Sequence, residues 1–129
     1  MPEIGTPRIS VKSSYISFEY GNIKGKGDAE VIVDDNGIQV IGKKKTGILS
    51  SEPFSILIRW DEIKRVKYEK KGLLRLPKCI RIVLDSGPDF IIKFTAKGID
   101  TGAWVRHKIG PLLSALKQHC SSRGIPYEG

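Results

Sequence analysis

Through most of the chain, apolar and polar residues alternate. Ile16, Phe18 and Tyr20 share one face of a run that begins at Ser14, as a half-buried strand requires. Ala29 to Val33 and Ile38 to Ile41 repeat the pattern on either side of Asp34-Asp35-Asn36-Gly37, where Asn-Gly accepts the positive φ of a tight hairpin. A fourth strand is marked by Phe54, Ile56, Ile58 and Trp60, and a fifth, Ile63 to Glu69, alternates Val66 and Tyr68 against charge. Cys79 to Leu84 reads as the sixth and Asp89 to Thr95 as the seventh, the latter with Phe90, Ile92 and Phe94 on one face. The breaks are turn-like: Gly21 to Asp28, Gly42 to Pro53, Asp61-Glu62, Gly72 to Pro77, and Asp85 to Pro88.

After the seventh strand the period changes. Val105, Ile109, Leu112/Leu113, Leu116 and Cys120 recur at three to four residues, the spacing of an amphipathic helix. Asp100 or Thr101 can cap its start and Gly124 can stop it. Pro111 removes a backbone donor and predicts a bend between Lys108 and Pro111. The stripe predicts that Trp104 and Leu116 are buried. The pattern is that of a mainly β protein, seven short strands followed by one C-terminal helix. A split barrel or bent sandwich capped by that helix hides both sheet edges and the apolar stripe. The expected division is an irregular lead-in over 1–13, one domain over 14–122 and a tail over 123–129.

This order of elements resembles the pleckstrin-homology (PH) superfold and its GRAM and bacterial PH-like relatives. The likeness rests on the seven alternating runs from Ser14 to Thr95, the helix with Trp104 in its first turn, and one local segment. That segment, Ile58-Arg59-Trp60-Asp61-Glu62-Ile63-Lys64-Arg65-Val66, is similar to the I-x-W-x-x-I-x-x-V crossing of GRAM-like domains. The resemblance implies a non-catalytic binding module. PH domains that bind phosphoinositides carry spaced basic residues running from the first hairpin loop into the second strand. Lys24 and Lys26 begin such a run, but Ala29 to Val33 supplies no arginine and includes Glu30. The likeness therefore implies general attraction to anions at Lys24, Lys26, Lys43, Lys44 and Lys45, not recognition of one headgroup.

Charge narrows the partner class. The 129 residues carry a net +8 with a pI near 9.6, which favours anionic partners. Lys64, Arg65, Lys67, Lys70, Lys71, Arg75, Lys78 and Arg81 face a single acid, Glu69, between positions 64 and 81. Leu73, Leu74 and Leu76 stand in the turn of that same hairpin. Two cysteines, Cys79 and Cys120, are too few for a disulfide framework and lie at apolar positions, so both read as core thiols. No stretch approaches the roughly 20 apolar residues of a membrane span, and Met1 to Gly5 shows no basic start followed by an apolar run, so no secretory leader is expected. A cytosolic setting, or the inner face of a membrane, is expected.

Catalytic motifs are weak. Gly37 to Lys43 matches a phosphate-binding loop until Lys44 stands where Ser or Thr should follow, and its interior is strand-like. Asp34, Asp35 and Asn36 lack the twelfth-position glutamate of a calcium loop. His107, His119, Cys79 and Cys120 have no zinc-ligand spacing. The expectation is no enzyme, cofactor or metal. Three binding functions remain, in this order: a protein partner docked on Lys64, Arg65, Lys67, Lys70, Lys71, Leu73, Leu74, Arg75, Leu76 and Lys78; an anionic membrane surface; and nucleic acid, disfavoured because only Tyr68 could stack on bases. The exposed leucines of that turn would also permit self-association.

Overall fold

A computed structural model describes residues 8–26, 28–70, 78–94 and 105–128. Among these residues, ten strands form two sheets. One has the order β1-β4-β5-β6, built from β1 (Ile9–Ser13), β4 (Ala29–Asp34), β5 (Gly37–Lys45) and β6 (Ser51–Arg59). The other has the order β10-β7-β8-β9-β2-β3, from β2 (Ile16–Tyr20), β3 (Ile23–Lys24), β7 (Ile63–Lys70), β8 (Lys78–Leu84), β9 (Phe90–Phe94) and β10 (Tyr127–Glu128). Among the described residues the sheets are not closed into a barrel. The arrangement is mainly β with one C-terminal helix, as the periodicities predict.

Three departures have physical causes. The lead-in is not all irregular: β1 pairs antiparallel with β4 from Ile9↔Val33 to Ser13↔Ala29. It escapes a pattern reading because only Ile9 and Val11 alternate before the chain changes sheet. Ser14 and Tyr15 make that change, with the Tyr15 N–H donating to Ser13 Oγ at 3.0 Å. Second, β5 runs on past Ile41 through Lys45, in register with Ser51, so Lys43, Lys44 and Lys45 are strand residues and not loop. A lysine triplet looks like loop, but its backbone pairs with Ser51 to Pro53 across the hairpin, and Lys44 meets Glu52 at 3.1 Å. Third, Tyr127–Glu128 lies parallel to β7, with the Val66 N–H donating to Pro126 O at 3.0 Å. The residues after the helix cover part of a sheet edge and do not trail away.

One core joins both sheets. The buried Phe18 ring stacks on Phe54 at 5.0 Å and on Phe90 at 5.8 Å. The helix α1 (Gly110–Arg123) follows directly from a π-helical turn, Val105–Ile109. Pro111 thus falls in the first turn of a restarted helix, where its missing N–H costs nothing. Ile109, Leu112, Ala115, Leu116, His119 and Cys120 are buried along one stripe, against β1, β4 and β10. Leu116 is buried as expected, while Trp104 lies outside the described residues. Gly124 ends α1 at φ 71°, with Gly124 N–H to Ser121 O at 3.4 Å and Ile125 N–H to Cys120 O at 2.9 Å. These are the two bonds of a Schellman cap.

Candidate functional site: a basic hairpin end

Gly25 determines how the lysines meet. A Cβ there would lie 2.4 Å from Phe18 Cδ1, so only glycine lets the segment after β3 lie flat on the core. Gly25 N–H donates to Phe18 O at 2.6 Å and Lys26 N–H to Lys43 O at 2.8 Å, and Gly25 bridges Lys44. Lys24 and Lys26, distant in sequence, are thereby carried to the Lys43–Lys45 end of β5. The five residues expected to attract anions form one group.

Acids neutralise part of it. Lys24 pairs with Glu19 at 3.5 Å and Lys44 with Glu52 at 3.1 Å. Lys93 also contacts Glu19; this hydrogen bond foremost, and then the charges of Lys93 and Lys24, hold the Glu19 carboxyl below its ordinary value against the opposing effect of burial. Among the described residues, no carboxylate pairs with Lys26, Lys43 or Lys45, and all three are exposed. Lys43 and Lys45 alternate with half-buried Lys44 on the solvent side of β5.

Beyond Lys45 the hairpin closes through Thr46 N–H to Ser50 O at 3.1 Å and Thr46 Oγ1 to Ser50 Oγ at 2.9 Å. Its tip bears Ile48 and Leu49, which are 100% and 96% exposed. Reading residues 42–53 only as loop overlooks this pair. The available signal was the one used for the leucine turn, large apolar residues where a turn should be polar.

The opposite end of the same sheet carries acids, three of them met by arginines: Arg8–Asp34 at 3.9 Å, and Arg123–Asp35 and Arg59–Asp61 at 3.7 Å. Asp34 and Asp35 occupy the β4–β5 turn, and Asp61 and Glu62 the 3-10 turn Trp60–Glu62. With Asp85, Asp61 and Glu62 also border a cleft of about 350 Å³ floored by Tyr20, Ile56, Ile58 and Leu84. The nine residues of β5 separate the two ends, a span of roughly 27 Å.

The site predicted on β7 and β8 is only partly visible. Lys64 and Arg65 are exposed and Lys67 is half-buried; Lys70 and Lys78 face each other in register. Lys71, Leu73, Leu74, Arg75 and Leu76 lie outside the described residues. Arg81 is not a free charge, since it binds Glu69 at 3.2 Å and Asp89 at 3.1 Å.

Both thiols are buried. Burial pushes Cys120 up to about 11, with Arg123 pulling slightly the other way. His119, also buried, stacks on Trp60 at 4.9 Å and meets Arg123 Nη1 through Nδ1 at 2.9 Å. A guanidinium can only donate, so this ring nitrogen is the acceptor. Among the described residues, no group of three His, Cys, Asp or Glu side chains is placed to hold a metal, and no helix is long and apolar enough to cross a membrane. Compared with protein-family models, curated proteins and solved structures, the chain gives no match.

Proposed function

We propose that this chain is a non-catalytic, PH-like docking module that settles on an anionic membrane surface through the lysine-rich end of its first sheet. The observation that carries the reading is the union of Lys24 and Lys26 with Lys43, Lys44 and Lys45 by the Lys26 N–H···O Lys43 bond of 2.8 Å. Three of these charges have no carboxylate partner among the described residues. Such a local excess of positive charge attracts a negative surface. Each unneutralised lysine near lipid phosphates contributes about 1 kcal/mol, so three give a weak, reversible hold.

Docking of a protein partner on the β7–β8 hairpin is the second reading, supported by the exposure of Lys64 and Arg65. Vesicle co-sedimentation decides between them. Binding to phosphatidylserine vesicles should fall when Lys26, Lys43 and Lys45 are together changed to alanine, and fall again as salt shortens the Debye length. Vesicle binding lost with Lys64→Ala/Arg65→Ala but retained in the triple variant would move the site to β7.

A further inference from the structure

We infer that Ile48 and Leu49 form a wedge that enters the hydrocarbon edge of an anionic bilayer while the surrounding lysines hold the phosphates. This deepens the proposed function and rests on it. Two adjacent large apolar side chains, 100% and 96% exposed, have no part in the core of this domain. Solvation of such a pair is unfavourable, and burial of each is favourable in proportion to the apolar area removed from water.

The order of residues along the hairpin selects the occupant. On the solvent side of β5, Lys43 and Lys45 come first, and Ile48 and Leu49 lie beyond them at the tip. Lys24 and Lys26 are brought to the flank of the same strand by the Gly25–Lys44 bridge. A bilayer presents the matching order to an approaching protein: phosphates outermost, acyl chains beneath. The feature is convex, with cations behind an apolar point. That shape fits a deformable layer that closes around it and meets its collar of positive charge with negative headgroups. Hairpin ladder pairs continue to Lys45↔Ser51, so the tip stands on a paired support and its insertion requires no unfolding.

The protein's own thiols make the test clean. Cys79 and Cys120 are buried, and the Cys120 thiol is held at about 11, so a cysteine placed at the tip is the reactive one. Leu49→Cys carrying an environment-sensitive fluorophore should shift to the blue with phosphatidylserine vesicles and be quenched by lipids brominated on their acyl chains. The same label at Ser55, on exposed β6, should do neither. Ile48→Ser/Leu49→Ser should weaken vesicle partitioning by roughly tenfold per residue. It should leave binding to heparin, a soluble polyanion, unchanged.

The outcomes separate the two claims. Vesicle binding that keeps its strength in the serine variant, with no quenching at position 49, overturns the wedge and leaves surface attraction by charge standing. Vesicle binding insensitive to both salt and the triple lysine change overturns the function on which the wedge rests. Loss of heparin binding in the serine variant would show that the tip serves a charged contact and not a hydrocarbon one, which also defeats the wedge.

Discussion

Strand β5 belongs to two hairpins that end in opposite ways. The β4–β5 turn is absorbed into the architecture. Asp34 O accepts the Trp60 indole N–H at 2.9 Å, Asp35 O accepts from Arg123 Nη2 at 3.4 Å, and Arg123 lies 5.1 Å above the Trp60 ring. Among the described residues, the β5–β6 turn is closed only by its own Thr46 and Ser50, and it holds two apolar side chains in solvent. A turn engaged by the helix and by the 3-10 turn after β6 serves the fold. A turn that engages only itself, yet carries isoleucine and leucine, is free to serve a partner.

The sharpest way to break this contrast is one methyl group at a glycine of each turn. Gly37 has φ 143°, and a Cβ there would stand 2.1 Å from Ile58 O. Gly37→Ala should cost more than about 3 kcal/mol, read as a fall in the urea midpoint. Gly47 would meet only the end of the Ser50 side chain, at 2.7 Å, and Gly47→Ala should cost under about 1 kcal/mol. Equal costs at the two sites would dissolve the distinction.

Next in size is the helix that locks the first turn. Leu116 is 1% exposed, and Leu116→Ala should cost about 2–5 kcal/mol as a large-to-small core change. An unchanged denaturation midpoint would mean that α1 is not docked. Arg123→Ala removes the cation over Trp60 and the donor to His119 Nδ1; about 1–2 kcal/mol should be lost. Ile48→Ser should move stability by less than about 0.5 kcal/mol, because nothing in the core rests on it.

The same two turns show what a sequence can disclose. Asp34-Asp35-Asn36-Gly37 was legible because its chemistry is local: Asn-Gly meets a backbone demand that does not depend on the rest of the molecule. Strand alternation and the three-to-four residue stripe of α1 were legible for the same reason, and so was the Gly124 stop. The convergence of Lys24 and Lys26 with Lys43–Lys45 was not, because it depends on the close approach of Gly25 to Phe18, a contact between separate strands. The strand character of Lys43–Lys45 depends on their pairing with Ser51 to Pro53 across the hairpin. Ile48 and Leu49 were legible in kind, but the pattern gives composition and not exposure, and the longer basic block at 64–81 outweighed them. Part of that block, Arg81, is committed to Glu69 and Asp89, a pairing that only register reveals.

A further small effect carries the contrast over to charge, between lysines without a carboxylate partner among the described residues at the hairpin end and charges tied within the second sheet. Glu69 accepts from Arg81 at 3.2 Å, and this bond, outweighing the opposing effect of burial, holds its carboxyl below the ordinary 4.5. The folded protein therefore binds that proton less readily than the unfolded chain does. The resulting stability is complete above about pH 4.5 and is lost as pH falls through the lowered value. Glu19, beside Lys93, behaves alike. Glu69→Gln should lower stability at neutral pH by less than about 1 kcal/mol, since the pair is partly solvated. It should also make the decline of the thermal midpoint between about pH 5 and pH 3 shallower than in the parent. Lys43→Gln, which has no carboxylate partner among the described residues, should leave that decline as it is. Parallel acid profiles for Glu69→Gln and the parent would mean that the Arg81 contact contributes nothing to folding, and that the tied and the free charges of this molecule do not differ.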